Sequence, residues 1–330
     1  MRDIISCFSE NAVNVTPHSS CSSFSSKAFI SPNLTPSTQN SVSYVYKAIL
    51  PNNQKHFFIT VTWSMSHSNQ GLTISLGEEE TIFRLNTNSR FFRKKGSKLL
   101  ESDELKIEIF WDFYNAKYDT GPEPVNDFFV AILIDAEVVL ILGEVTMTKK
   151  FKTRRIPLAK VSLLSRREHC SGNTIYKTKT QFCENGTLHD ILIKCSGENE
   201  GLHYPVLSVC IDNKTVIRVK RLQWNFRGNH PIFVDGLVVD LLWDVHNWFF
   251  NPAPSGYAVF MFRTKTELDS RLWLEEKTVL RDEDTFEFSL LIYAFVQLAH
   301  GMFKSCSKRV TTGLDAMQLQ LSAVVVKFAL

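Results

Sequence analysis

Two Trp-Asp dipeptides, Trp111-Asp112 and Trp243-Asp244, are each followed three residues after the aspartate by an asparagine, Asn115 and Asn247. With His246 beside the second, two carboxylates and an imidazole could serve as acid and base. The competing reading is scaffold: each tryptophan fills the core at a strand end, and each Asp and Asn hydrogen-bonds the turn backbone. An element present twice is what a fold requirement produces, whereas catalysis needs its site once. No catalytic residue is therefore assigned, and the expected protein is not an enzyme. Metal ligation is no better placed. His169-Cys170 are adjacent and Cys183, His189 and Cys195 follow, but their spacing is not that of a zinc site, and strand cysteines are usually small core hydrophobes. Asp119, Glu123 and Asp127 are scattered along one loop and lack the clustered pattern of a calcium site. The sequence holds no glycine-rich phosphate loop, Gly-x-Ser-x-Gly elbow or His-Glu-x-x-His motif, so no cofactor is expected.

Two basic clusters offer a different chemistry. Arg90, Arg93, Lys94, Lys95 and Lys98 surround Phe91 and Phe92 in an expected loop. That mixture suits an anionic headgroup, with the rings dipping into the membrane interface. Lys149, Lys150, Lys152, Arg154 and Arg155 form a denser run, suited to nucleic acid or nuclear import. Against both stands a solvated linker, and a loop whose Phe92 packs inward. Trp243, His246 and Trp248 could line a cleft for a flat ligand such as a sugar. The leading expectation is a binding or adaptor protein that engages a protein partner or an anionic surface. The alternatives are a ligand-binding protein or enzyme with a pocket between two sandwiches, and a nuclear nucleic-acid-associated protein.

Residues from Tyr44 onward fall into short β-branched and aromatic runs separated by Gly, Asn, Pro and charged turns, which reads as strands. Leu105-Lys106-Ile107-Glu108-Ile109 alternates cleanly and buries one face. The runs then recur in order. Tyr46-Lys47-Ala48 is answered by Tyr176-Lys177-Thr178, and Thr81 to Leu85 by Thr215 to Val219. Phe92-Arg93 before Gly96 is answered by Phe226-Arg227 before Gly228, and Phe110-Trp111-Asp112 by Leu242-Trp243-Asp244. The expected fold is all-β: two tandem, internally duplicated antiparallel β-sandwiches with one short helical insert. Residues 1–41 read as a Ser-rich disordered tail, 42–148 as the first unit, 149–157 as a basic linker and 158–294 as the second unit. The insert falls at 264–284, where Leu268, Leu272, Trp273, Glu276 and Leu280 have helical spacing. Leu158 to Leu164 reads as an extra strand, and 295–330 as an atypical tail.

The bulk numbers agree with two cores. The chain has 330 residues, 44% of them hydrophobic, with 25 Phe and 6 Trp. A single core stops growing well short of that length, and the aromatic excess favours strands. A net charge of +3 does not by itself dictate a polyanionic partner. The 7 cysteines form no CxxC pair, which points to an intracellular, reducing compartment, cytoplasm or nucleus. The N-terminus lacks the charged-then-apolar pattern of a secretory signal. Phe286 to Phe303 is too short and too polar for a transmembrane helix.

Several stretches carry a resemblance to a family: Phe92 to Lys98, Phe110-Trp111-Asp112, Gly121 to Val125, Ser165 to His169, Leu222 to Asn229 and Trp243 to Trp248. Together they resemble the plant family catalogued as domain of unknown function 868, over roughly Met1 to Ala294. The resemblance implies a plant origin and carries no activity, cofactor or site residue with it. From Phe295 the chain departs from the family pattern.

Overall fold

The computed structural model describes residues 13–14, 36–52, 54–66, 69–77, 80–86, 93–101, 105–143, 157–172, 175–183, 186–196, 205–250, 256–264 and 288–296. The first half begins with a meander, β2 (Thr38–Ile49), β3 (His56–Ser66), β4 (Asn69–Leu76) and β5 (Glu80–Asn86). A second meander follows: β6 (Lys95–Glu101), β7 (Lys106–Asp112), β10 (Phe129–Ile134) and β11 (Glu137–Gly143). The short ribbon β8 (Lys117–Tyr118) and β9 (Pro124–Asn126) interrupts it. Alternation decides which faces meet. Ile59, Val61 and Trp63 of β3, Ile74 of β4, Ile107, Ile109 and Trp111 of β7, and Val130, Ile132 and Ile134 of β10 share one core between the two sheets. Burying period-two apolar faces against each other is what makes a sandwich.

The strand order then recurs. β13 (Ile175–Thr180), β14 (His189–Ser196), β15 (Val206–Ile211) and β16 (Lys214–Val219) form a meander, and β1 (Val13–Asn14) pairs with β16. A further meander joins β17 (Arg227–Val234), β18 (Leu237–Asp244), β19 (Tyr257–Thr264) and β20 (Ser289–Val296). Ile191, Ile193, Val209, Leu241, Trp243, Phe260, Phe262 and Ile292 fill the second core.

One strand unites the halves. β12 (Lys160–Gly172) is antiparallel to β2 and parallel to β20, giving a nine-stranded sheet in the order β17-β18-β19-β20-β12-β2-β3-β4-β5. Three two-residue turns, Asp135-Ala136, Asp212-Asn213 and Asp235-Gly236, have positive φ at both positions. That is the type I′ geometry whose twist matches a hairpin.

The structure departs from the sequence reading in particular places. Lys95 to Lys98, read as loop, lie on β6, and Arg227-Gly228 on β17, because lysines and glycines hide an edge strand from propensity. β2 starts at Thr38, inside the segment read as tail, and β20 extends to Val296, inside the segment read as the C-terminal tail. β12 is longer than the extra strand expected at 158–164. The described helix is α1 (His246–Phe250), a turn in the sequence reading; the helical insert expected at 264–284 lies almost wholly outside the described residues. Cys170, Cys183 and Cys195 are free thiols, but Cys210 is disulfide-bonded, so it does not fit a uniformly reduced set. Among the described residues no helix is long and apolar enough to cross a membrane.

Candidate interaction surface

The Trp-Asp corners are scaffold in both halves, with the same atoms in the same roles. Trp111 Nε1 donates to Arg93 O at 2.8 Å, and Trp243 Nε1 to Asn225 O at 3.0 Å. Gly96 and Gly228 lie under the two indoles: a Cβ on either would come within 2.7 and 2.2 Å of Cζ2, closer than packed atoms approach. Asp112 accepts the Tyr114 amide and pairs with Lys95 at 2.8 Å; Asp244 accepts the His246 amide and pairs with Arg227 at 2.8 Å. Burial would raise the Asp112 carboxyl, but Lys95 and the Tyr114 amide outweigh it and hold it below the usual range.

The residues expected to line a cleft are therefore packed. Trp243 and Trp248 belong to the second core, Trp248 Nε1 donates to Ala294 O, and His246 packs on Phe226 and Phe250. The first basic cluster is dispersed by the pleat. Lys95 is engaged with Asp112, Lys98 Nζ sits 5.8 Å from the Phe83 ring across the sandwich rim, and Lys94 Nζ lies 5.7 Å from the exposed Tyr114 ring. Arg93 is exposed. Arg90, Lys149, Lys150, Lys152, Arg154 and Arg155 lie outside the described residues.

Two polar clusters escaped the sequence reading. At the seam, Arg166 of β12 reaches Glu168 at 2.8 Å, Glu123 at 3.4 Å and the Lys179 carbonyl at 2.9 Å. Tyr44 hydrogen-bonds Glu123, and Thr178 hydrogen-bonds Glu168. Glu168 is 0% exposed, and burial pushes its carboxyl up, against Arg166 and Thr178. This network ties the first half, through Tyr44 and Glu123, to β12 and β13. Two stretches far apart in sequence, Gly121 to Val125 and Ser165 to His169, meet there.

The second cluster closes one end of the second half. His189 Nδ1 is 2.6 Å from Asp212 Oδ2 and Nε2 is 2.9 Å from Asp235 Oδ2, with Thr187 Oγ1 also 2.9 Å from Nε2. Thr187, His189 and Asp212 superficially match a nucleophile-base-acid relay. Burial would lower the imidazole pKa, but the two aspartates raise it, and with a carboxylate against each ring nitrogen neither nitrogen is left open to take a proton from Thr187. What it does is clasp three turns. Among the described residues no three His, Cys, Asp or Glu side chains are arranged to hold a metal ion.

The nine-stranded sheet turns one face away from both cores. Register places Arg227, Asp244, Val259, Tyr293, His169, Ser41, Ser64, Gly71 and Asn86 in one row across all nine strands. The next row is Asn229, Leu242, Met261, Leu291, Arg167, Ser43, Thr62, Thr73 and Arg84. Four aromatic rings cluster at the junction of the halves. His169 stacks 4.7 Å from Tyr293 and 6.0 Å from Phe295, and Tyr257 lies 5.4 Å from Phe295. Burial, then the charge of Arg167, lowers the His169 pKa, leaving that ring neutral. Alternation hinted at which side chains share a strand face, but only the cross-strand register assembles them.

Fold and surface together define an all-β protein in which two sandwiches share a single large sheet. The profile of a family described as plant protein of unknown function (DUF868) matches residues 37–296. The chain belongs to that family. No curated protein and no solved structure matches it.

Proposed function

We propose that the chain is a non-enzymatic binding module, descended from tandem duplication of one eight-stranded unit, which engages a macromolecule on the outer face of its nine-stranded sheet. The observation that carries the reading is the ring cluster of Tyr257, Tyr293, Phe295 and His169. Aromatic groups gathered on a wide flat face are the usual anchors of an interface. The duplication, with units of about 42–148 and 158–294, is supported by the repeated strand order and by the matched pairs Trp111 and Trp243, Gly96 and Gly228, Asp112 and Asp244. A cleft lined by Trp243, His246 and Trp248 is less well supported, since the core and Phe226 already use those side chains. The free thiols of Cys170, Cys183 and Cys195 favour a cytoplasmic or nuclear address, whereas the disulfide at Cys210 speaks against it.

Affinity capture from plant extract tests the reading, with the full chain immobilised as wild type, as Arg167→Gln/Tyr293→Ala, and as Lys94→Gln/Lys95→Gln/Lys98→Gln. Captured macromolecules, identified by mass spectrometry and nucleic-acid sequencing, should disappear with the sheet-face variant and persist with the lysine variant. Identical capture by wild type and sheet-face variant would overturn it.

A further inference from the structure

We infer that the outer face of the nine-stranded sheet binds a single-stranded nucleic acid, its phosphates along the row from Arg167 to Arg84 and its bases against the adjoining ring cluster. This rests on the binding-module reading and names its partner by chemistry. Arg167 on β12 and Arg84 on β5 are exposed, and among the described residues neither has a hydrogen bond or ion pair. They stand four strand intervals apart, about 19 Å at the usual spacing of about 4.8 Å. Between them lie the hydroxyls of Ser43, Thr62 and Thr73, on the same row.

The charge along these two rows is one-sided. In the two rows the only carboxylate is Asp244, and Arg227 neutralises it at 2.8 Å. Arginines and hydroxyls are the groups that contact phosphate and sugar oxygens, while exposed rings suit any base, since every base has a π-face. The neutral His169 ring, Tyr293, Phe295 and the exposed Tyr257 adjoin Arg167 within one step of register. A broad sheet bearing rings and cations admits splayed single-stranded bases, whereas in a duplex the bases are stacked away from it.

The test uses fluorescence anisotropy of a fluorescein-labelled 20-nucleotide oligouridylate with the full chain, from 50 to 300 mM potassium chloride. A 20-base-pair RNA duplex and poly-glutamate serve as controls. Wild type should bind the single strand in preference to the duplex, with affinity falling linearly against the logarithm of salt. Arg84→Gln/Arg167→Gln should reduce the salt slope by about 1.4, the value for two phosphate contacts on a single strand. Tyr293→Ala should weaken binding by about fivefold or more at unchanged slope. Because removing Tyr293 could unsettle β20, Thr73→Glu provides a second variant: a carboxylate set into the row should abolish binding while thermal melting stays at the wild-type value.

Absence of binding, equal binding of duplex, equal displacement by poly-glutamate, or indifference to the arginine and Tyr293 changes would overturn the inference. If the oligonucleotide fails while capture from extract still depends on Arg167 and Tyr293, the binding-module reading survives with a protein as its partner. If both fail, both fall.

Discussion

Single residues in this chain report on strain and protonation. Ala136 sits at φ 66° in a turn where the other two type I′ hairpins have Asn213 and Gly236. A Cβ in the left-handed region costs roughly 1–2 kcal/mol, partly offset by the freedom glycine adds to the unfolded chain. Ala136→Gly should therefore raise stability by about 0.5–1 kcal/mol, read as a higher urea midpoint at unchanged slope. His189 sets a pH window. Its folded pKa lies above the ordinary value of about 6.5, so its stabilising effect is complete below that value and is lost as pH rises through the raised one. Asp235, hydrogen-bonded by His189, and Asp212, where His189 outweighs burial, are both depressed. Their contributions are present above the ordinary aspartate value of about 3.9 and are lost as pH falls through the depressed ones. The clasp is strongest between about pH 4 and 6.5. Urea midpoints from pH 4 to 9 should fall on the alkaline side more steeply for wild type than for His189→Gln; parallel curves would show that the clasp carries no pH dependence.

Among the described elements, β12 matters most, because it alone of these strands bonds to both halves. Its inward Arg166 and Glu168 are buried as a pair, and breaking such a pair strands the remaining charge at a cost of roughly 3–5 kcal/mol. Glu168→Ala should show that loss in chemical denaturation, and Arg166→Met/Glu168→Met should recover most of it. Failure of the double replacement to recover would mean that Glu123 and Tyr44 depend on the guanidinium too. Sequence periodicity revealed most strands here, since Ile107, Ile109 and Trp111 or Val130, Ile132 and Ile134 write their alternation plainly. It missed β6 and β17. Edge strands are half solvated, and Lys95, Lys98, Asn229 and Pro231 serve there to block further pairing, so their composition imitates a loop. The His189 clasp was not legible, because it joins turns 23 and 46 residues away.

For the whole molecule, the repeated Trp-Asp and Phe-Arg motifs point to two similar halves, but the sheet they share was invisible, since the parallel pairing of β12 with β20 joins residues 124 apart. A shared sheet makes the halves mutually dependent. Residues 36–143 and 157–296 expressed separately should show no cooperative thermal transition, having lost the β2-β12 pairing that covers both edges. A full chain nicked at a protease site introduced within 144–156 should stay associated on gel filtration; two separately folding halves would refute one continuous sheet. The central claim is that this sheet's outer face, rather than either basic cluster, is the interaction surface. Photo-crosslinking to a 20-nucleotide 4-thiouridine oligomer, with cross-linked residues located by mass spectrometry, tests it most directly. Cross-links should fall on β12, β20 and β3 to β5, at residues such as His169, Tyr293 and Thr73. Cross-links confined to Arg93 to Lys98 or to Lys149 to Arg155 would contradict it.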